Sequence, residues 1–242
     1  MTNTENPFSG AAKNPDVKAR RRVSFNRDTP AGVLRALAGD RDIDVRINVA
    51  LHPNTPTNVL QQLASDPNGT VRGAVAKNAH IPPAVLQLLA SDPDEGVRRK
   101  VAGNLHTPPA ALQLLASDPD GYVRFAVVAH FNTPPAALQK LADDPEQAVR
   151  RFVASNPNTP PDVLQQLAGE PNGAVREQVA KNPNTPPEVL QRLASDSDEI
   201  TRRNVAENPN TPPEVLAVLA LDFDPDVQEA ARHALQERKP ES

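Results

Sequence analysis

The sequence predicts an all-α protein, an α-solenoid of eight two-helix repeats. Three observations lead to this prediction: a leucine recurs at a fixed interval, prolines mark the same places in every interval, and the apolar residues between them follow helical spacing. Alternating runs of β-branched residues, which would indicate strands, are not found in the sequence. The pattern therefore favours stacked short helices over a sheet.

The repeat has a constant length of 26 residues, with no insertion or deletion. Its leucines are Leu34, Leu60, Leu86, Leu112, Leu138, Leu164, Leu190 and Leu216. A fixed period of this size is typical of architectures in which each unit stacks only on its neighbours. We expect every unit to stack in the same way.

The first helix of each unit is expected to begin at Thr-Pro-Pro. The Thr185 hydroxyl is predicted to cap the helix, with proline at the next position, and Glu188 three residues on would complete a capping box. Val189, Leu190 and Leu193 then form an apolar stripe at helical spacing. Each such helix is too short to be stable alone, so the stripe must be buried by stacking.

The second helix is expected to begin at Asp-Pro, as at Asp66, and to bury the stripe Val71, Val75 and Ala76. It is expected to stop at Asn-Pro, as at Asn156, because the residue before a proline is disfavoured in the α region. These starts and stops account for 23 of the 27 prolines in the chain. The high proline content is therefore repeat punctuation and not a sign of disorder.

The two ends depart from the repeat, as capping units should. Arg20 and Val23 lie in register with the second helix of a unit, and a longer final helix is expected from about Pro225. We predict a flexible tail over 1–15, a degenerate capping half-repeat over 16–28, the solenoid with its C-terminal capping helix over 29–238, and a second tail over 239–242.

The pattern T-P-x-x-V-L-x-x-L-A-x-D-P-x-x-x-V-R-x-x-V-A-x-N-P-N resembles the leucine-rich repeat variant (LRV) family of bacterial repeat proteins. The resemblance covers residues 16–235 and implies a right-handed superhelix of alternating α- and 3₁₀-helices. The residues themselves leave open whether one helix is 3₁₀. Some members bind an iron–sulfur cluster through a cysteine-rich segment, a function that a chain without cysteine does not inherit. The Asp…Val-Arg part also resembles the second helix of HEAT repeats.

The composition narrows the possible functions. A net charge of −4 does not indicate nucleic acid or a membrane, and the lack of cysteine excludes disulfides and thiolate metal sites. There is no apolar run of about 18 residues, and residues 1–16 lack the apolar core of a secretory signal. We expect a cytoplasmic, monomeric protein that does not contact membranes.

An acid and an arginine recur six residues apart. The acids are Asp40, Asp66, Asp92, Asp118, Asp144, Glu170, Asp196 and Asp222, and the arginines are Arg46, Arg72, Arg98, Arg124, Arg150, Arg176 and Arg202. We interpret them as an interlocking ladder in which each carboxylate caps its helix and accepts from an arginine of the same or the next unit. A charged groove is the alternative. The recurring asparagines, such as Asn78 and Asn182, are expected to bond to turn backbone.

No catalytic, cofactor or metal site is predicted. His80 and His106 are equivalent residues one repeat apart, and equivalent atoms in stacked repeats lie too far apart to share one ion at about 2.1 Å. No nucleophile elbow or phosphate-binding loop occurs. A unique convergent site is also hard to reconcile with a repeated surface.

Function is expected where the repeats differ, on the outward positions of the second helices. In repeats 3–5 these positions bring basic and aromatic residues together as a candidate site: Arg99, Lys100, Tyr122, Phe125, Arg151 and Phe152. Arginine and aromatic residues are enriched among the anchors of protein interfaces, and they also stack on bases beside phosphates. The alternative is that Phe125 and Phe152 fold over to cover the core or the next unit.

These observations predict a non-catalytic repeat scaffold that binds a protein or peptide partner through the variable face of the second helices in repeats 3–5. Nucleic-acid binding by the same basic and aromatic face is the alternative function. The sequence does not identify the partner.

Overall fold

A computed structural model describes residue 8 and residues 10–238 of the chain. Across this part of the protein it contains seventeen α-helices, one 3₁₀-helix and no strand, which confirms the all-α prediction. The predicted tail over 239–242, and residues 1–7 and 9 of the predicted N-terminal tail, lie outside the described residues.

The helices alternate between seven-residue first helices and longer second helices. The first helices are α2 (Ala31–Leu37), α4 (Thr57–Leu63), α6 (Pro83–Leu89), α8 (Pro109–Leu115), α10 (Pro135–Leu141), α12 (Pro161–Leu167), α14 (Pro187–Leu193) and α16 (Pro213–Leu219). The second helices are α3 (Ile43–Leu51), α5 (Gly69–Lys77), α7 (Glu95–Ala102), α9 (Gly121–Val128), α11 (Gln147–Ser155), α13 (Gly173–Lys181), α15 (Glu199–Glu207) and α17 (Pro225–Glu237). They are preceded by a 3₁₀-helix (Ala11–Lys13) and by α1 (Val17–Phe25).

Both helices of each described repeat are α-helices, so the alternation of α and 3₁₀ that the resemblance implied is not observed. The 3₁₀-helix of the described chain precedes the repeats. Hydrogen bonds of the 3₁₀ type occur at the ends of the first helices. In α4, for example, the Pro56 carbonyl accepts from the N–H of Val59 at 2.9 Å and from that of Leu60 at 3.1 Å.

The first helices begin one residue later than predicted, and the predicted capping box of Thr185 and Glu188 is wrong. The N-cap of α14 is Pro186, whose backbone is extended, and no side chain caps this helix. The same start is seen in α2 and α4, where Ala31 and Thr57 follow the N-cap proline, so the shift does not depend on a second proline. The Thr185 hydroxyl instead donates to the Val179 carbonyl at the end of α13, where a helix leaves carbonyls unpaired.

The second helices begin two residues later than predicted. The N-cap of α5 is Asn68, whose side-chain oxygen accepts from the Thr70 N–H at 2.8 Å. Asp66, the predicted cap, accepts from the Asn68 N–H at 2.9 Å and so fixes the turn before the helix. Aspartate takes the cap position in α3, α7, α9, α15 and α17.

The predicted helix ends and apolar stripes are confirmed. Helix α11 stops before Asn156, which is its C-cap and has an extended backbone. The repeat leucines are fully buried, and so are Val71, Val75 and Ala76 of the second-helix stripe. Burial of these stripes is the main source of stability for helices too short to persist alone.

The chain forms two compact units, each made of several 26-residue repeats. The first unit ends at Leu115, and the second unit begins at Ala116. Within the first unit, α1 packs on α3, α3 on α5, and α5 on α7. Within the second unit, α9 packs on α11, α11 on α13, α13 on α15, and α15 on α17. Inside each unit the second helices therefore form a layer, and the variable positions lie on it.

Candidate binding site on the second helices

Within each compact unit, the recurring arginine links one repeat to the next. Arg46 donates from Nε to Asp66 at 2.7 Å and from Nη2 at 3.1 Å, while its Nη1 donates to the backbone carbonyl of Asp40 at 2.8 Å. The same bidentate contact occurs in the pairs Arg20–Asp40, Arg72–Asp92, Arg124–Asp144, Arg150–Glu170, Arg176–Asp196 and Arg202–Asp222. The ladder interpretation is thereby confirmed, and the charged-groove alternative is not.

Two details of the predicted ladder are wrong. Ladder aspartates such as Asp66 accept from the arginine of the preceding repeat, and they fix the turn before the helix without capping the helix itself. In the last repeat, Gln228 takes the place of the arginine, and its amide donates to the Asp222 backbone carbonyl. The ladder thus ends with a neutral side chain that keeps the backbone contact alone.

Four ladder carboxylates, Asp40, Asp92, Asp196 and Asp222, have depressed pKa values. Hydrogen bonds from Arg202 hold the pKa of Asp222 below its ordinary value of 3.8. Burial acts to raise the pKa of Asp92, but the hydrogen bonds from Arg72 and from the Asp94 backbone N–H outweigh it, so the net shift is again downward. The ionised form of these carboxylates is therefore part of the folded structure.

The recurring asparagines bond to turn backbone, as predicted. The Asn78 amide donates to the Ala50 carbonyl of the preceding unit at 2.7 Å, and its oxygen accepts from the His80 N–H at 2.8 Å. Asn182 and Asn208 make equivalent contacts. These side chains are buried and occupied, so they are not available to a ligand.

His52 replaces asparagine in this column and also bonds to turn backbone through both ring nitrogens. Its Nδ1 accepts from the Asn54 N–H at 3.0 Å, so Nε2 carries the proton and donates to the Asn26 carbonyl at 2.9 Å. His52 is a buried turn residue and not a metal ligand. Among the described residues, no group of three or more metal-ligating side chains gathers at one place.

Four of the six predicted site residues lie together in the second unit. The rings of Phe125 on α9 and Phe152 on α11 meet edge to face, with their centroids 4.7 Å apart. The Arg151 guanidinium lies 5.8 Å from the Phe152 ring centroid, and Tyr122 is 71% exposed one turn before Phe125. We call Tyr122, Phe125, Arg151 and Phe152 the aromatic cluster.

The two phenylalanines are half-buried because they cover each other. The alternative that they cover the next repeat is therefore partly correct, since Phe125 and Phe152 join adjacent second helices. Tyr122 and Arg151 remain exposed beside them, and Phe131 in the turn after α9 is 57% exposed and stacked on His130. The cluster still presents aromatic surface to solvent.

The other two predicted residues, Arg99 and Lys100, lie on α7 in the first unit. Arg99 is exposed, and the half-buried Lys100 lies against Gly73 of α5, where the lack of a side chain makes room for it. Both line a surface pocket of about 480 Å³, here called the basic pocket. The lining residues are Ala76, Lys77, Ala79, Arg99, Lys100, Gly103, Asn104, Leu105 and His106.

The basic pocket was not predicted, although the sequence contains a signal for it. Where later units have Asn-Pro-Asn, the second and third turns read Asn-Ala-His and Asn-Leu-His, ending at His80 and His106. Asn184 and Asn210 at this position donate to a carbonyl of the preceding unit, whereas the exposed rings of His80 and His106 make no such bond. This change of turn accompanies the pocket.

The outward positions of the second helices are not uniformly exposed, contrary to expectation. Gly73 and Ala74 on α5 are buried, and Asn204 on α15 is 5% exposed. The amide nitrogen of Asn204 has no hydrogen-bond partner among the described residues. Adjacent second helices pack closely enough to bury small or neutral side chains here, whereas the long Arg99 and Arg151 reach solvent.

Comparisons with known proteins agree with this fold. The family model described as leucine rich repeat variant matches residues 43–68, 95–120 and 148–172, and the model described as leucine rich repeat variant domain matches residues 174–235. Together the matches cover more than half of the chain. A search of curated proteins gives no match. In the described part of the chain, every helix is too short or too polar to cross a lipid bilayer.

Among solved structures, one described as a leucine-rich repeat variant with a novel repetitive protein structural motif has a TM-score of 0.68 and 27% identity. The match covers 90% of this chain and 88% of that chain. An engineered protein matches with a TM-score of 0.33, 18% identity and coverage of 95% and 77%. A computationally designed armadillo repeat protein for modular peptide recognition matches with a TM-score of 0.21, 16% identity and coverage of 95% and 97%. The fold assignment rests on the first of these.

Proposed function

Because this chain belongs to the leucine-rich repeat variant family, we propose that it is a non-catalytic repeat scaffold that binds a protein or peptide partner. The proposed binding residues lie on the variable face of the second helices in repeats 3–5. They are Arg99 and Lys100 in the first unit and the aromatic cluster in the second.

The aromatic cluster is the observation that carries this proposal. Apart from the aromatic cluster, the outward positions of the second helices in the second unit carry no phenylalanine, tyrosine or tryptophan. The exposed Phe131 lies in the turn after α9. Rigid rings beside an exposed arginine supply contact area at a low cost in side-chain entropy, which is why such residues dominate protein interfaces. Nothing in the ladder requires rings at Tyr122, Phe125 or Phe152, because the other repeats stack without them.

A scaffold without catalysis is supported by how the polar side chains are used. The ladder carboxylates and arginines are bound to one another, and the turn asparagines are bound to backbone. Polar groups that are already paired are poorly suited to proton transfer or nucleophilic attack.

We place this scaffold in the cytoplasm.

The second candidate function, nucleic-acid binding, is favoured by one observation. The Arg151 guanidinium lies over the Phe152 ring, and a ring beside an arginine suits a base stacked next to a phosphate. The protein-binding proposal is preferred because the chain carries a net charge of −4, and the aromatic cluster includes a single basic residue.

The test is a capture experiment with a double variant, Phe125→Ala with Arg151→Ala. We expect the immobilised wild-type chain to retain a partner from source lysate and the variant to lose it. The matched control is Glu177→Ala with Arg203→Ala, because these residues occupy the same positions as Phe125 and Arg151 two repeats further along the chain. The control is expected to retain the partner, and circular dichroism should show both variants folded.

Equal capture by the two double variants would refute the aromatic cluster as the site. The nucleic-acid alternative is separated by absorbance and salt. With one Tyr and no Trp the chain absorbs weakly at 280 nm, so co-purified nucleic acid would dominate the spectrum. Binding of an oligonucleotide would also weaken steeply as salt is raised.

A further inference from the structure

We propose that the basic pocket of the first unit binds an acidic peptide segment, with a carboxylate held by Arg99, Lys100 and Lys77 and an adjoining aliphatic side chain on the apolar floor. This inference deepens the proposed function, because it assigns a partner chemistry to Arg99 and Lys100. It concerns the first unit alone and does not depend on the aromatic cluster.

The shape of the pocket suits a side chain and its neighbour. Its volume of about 480 Å³ lies within the range of ligand sites in proteins. Ala79 and Leu105 supply exposed apolar surface, and Leu105 is 65% exposed. Leu105 therefore gives the pocket an apolar side chain that a ligand can contact.

The charge of the pocket is uncompensated. No aspartate or glutamate is among its lining residues. Lys77, Arg99 and Lys100 form no ion pair with any described residue, whereas Arg203, the equivalent of Arg99 on α15, is paired with Glu207 at 2.9 Å. Three unpaired cations around one concavity make a positive potential that attracts carboxylates.

The equivalent surface of the second unit has the opposite character. A pocket of about 550 Å³ between α15 and α17 is lined by Arg203, Glu207, Asp226, Glu229, His233 and Glu237, together with two alanines. Four carboxylates therefore line this pocket, and none lines the basic pocket. The positive charge of the basic pocket is therefore a property of repeats 2 and 3 and not of the repeat pattern.

Two glycines create the space. Gly73 lets the aliphatic stem of Lys100 lie across α5, since a Cβ there would come within 3.0 Å of the Lys100 Cδ. Gly103 ends α7 with an ordinary helical backbone, φ −87° and ψ −1°, so this glycine is not required by the backbone. The first repeat has Leu51 at the position of Gly103, and a leucine at 103 would extend over the pocket.

A peptide fits these features better than nucleic acid does. No phenylalanine, tyrosine or tryptophan lines the pocket, so it offers no platform for stacking bases beyond the imidazole of His106. Its apolar floor has no counterpart in a sugar–phosphate backbone. An acidic segment with an aliphatic residue satisfies both the cations and the floor.

The test uses fluorescence anisotropy with defined probes. The binding probe is a fluorescein-labelled octapeptide of alternating glutamate and leucine, and the controls are the lysine–leucine and glutamate–serine octapeptides and a labelled oligothymidine. We expect the glutamate–leucine peptide to bind most tightly. Raised salt should weaken binding without abolishing it, because part of the contact is apolar.

Two variants separate charge from shape. Gly103→Leu fills the pocket without changing its charge, and its Cβ would meet only the Arg99 carbonyl oxygen at 3.5 Å, an ordinary contact. Arg99→Glu reverses one charge, and Arg203→Glu is its matched control on α15. We expect Gly103→Leu and Arg99→Glu each to weaken binding by about tenfold or more, and Arg203→Glu to leave it unchanged.

Several outcomes would overturn the proposal. They are no binding of the glutamate–leucine peptide, equal binding to the Gly103→Leu variant, tighter binding of oligothymidine, and self-association of the wild-type chain that Gly103→Leu abolishes. The aromatic-cluster double variant distinguishes this failure from failure of the proposed function. If that variant loses its partner while the peptide never binds, the scaffold proposal stands and the pocket proposal falls.

Discussion

Arg150 and Arg151 are neighbours on α11, yet they belong to two different regions of the molecule. Arg150 binds Glu170 at 2.9 Å and the Asp144 carbonyl at 2.7 Å, whereas Arg151 is exposed and lies near the Phe152 ring. In the first region, the ladder, the same contact between arginine and carboxylate recurs in successive repeats. The second, the variable face, differs in residue type among the repeats. The comparison shows that stacking uses one edge of each second helix and leaves the adjacent positions free to diverge.

The largest effect on the ladder is expected when the pH is lowered. The pKa values of Asp40, Asp92, Asp196 and Asp222 are lowered in the folded state, so their stabilising effect is complete above the ordinary value of 3.8. It is lost as pH falls below that value toward the folded-state pKa. We expect the free energy of unfolding, measured by urea titration, to fall steeply below a pH of about 4.

Asp222→Asn provides the control for the acid experiment. It removes one depressed carboxylate, so it should lower stability at neutral pH and make the dependence on pH less steep. A free energy of unfolding that stays constant down to a pH of about 2 would contradict the role assigned to the ladder.

The next effect in size is the loss of a single rung. In Arg176→Ala, Asp196 loses its bidentate partner, although this carboxylate side chain is only 6% exposed. Removing one partner of a buried ion pair costs about 3 kcal/mol, so the urea midpoint should drop clearly. The matched control, Arg203→Ala, breaks a pair whose two side chains are 52% and 49% exposed. It should cost less than about 0.5 kcal/mol.

A smaller effect of opposite sign is expected at Asn204, a buried residue in the variable column. Asn204→Ala removes an amide nitrogen that has no partner among the described residues, and Ala74 already occupies the equivalent position in α5. We expect the variant to gain about 1 kcal/mol of stability in urea titration. A loss of stability would show that the amide has a partner in solution.

The smallest change in stability is expected at the aromatic cluster. Tyr122→Ala alters an exposed side chain outside the ladder and should change the free energy of unfolding by less than about 0.5 kcal/mol. The same variant should weaken capture of the partner. A large loss of stability would place Tyr122 in the structural region of the molecule and sharpen the boundary between the two regions.

Much of the fold follows from local sequence. The period, the helix pairs, the buried stripes and the Asn-Pro stops were predicted because each depends on residues close together in one unit. The first-helix cap was missed because the Thr185 hydroxyl donates to a carbonyl at the end of the preceding helix and does not cap its own helix. The second-helix cap was missed because Asp66 and Asn68 are both good cap residues.

The candidate site was predicted in part. The outward positions identified Phe125 and Phe152, but not that their rings would meet at 4.7 Å. Likewise, the sequence identified Arg99 and Lys100, but not the pocket they share with Leu105 and its missing carboxylates. These features depend on side chains about 26 residues apart, whose distance is set by the packing of adjacent helices.

The sequence by itself determined that this protein is a stack of short paired helices, because a hydrophobic and proline period of 26 residues permits few other ways to bury its stripes. Only the tertiary structure decided which carboxylate each arginine binds, which outward residues are buried, and where a concave basic surface opens. The physical reason is distance. Helical spacing acts within a few residues of the chain, whereas ion pairs, ring contacts and pockets depend on how one repeat approaches the next.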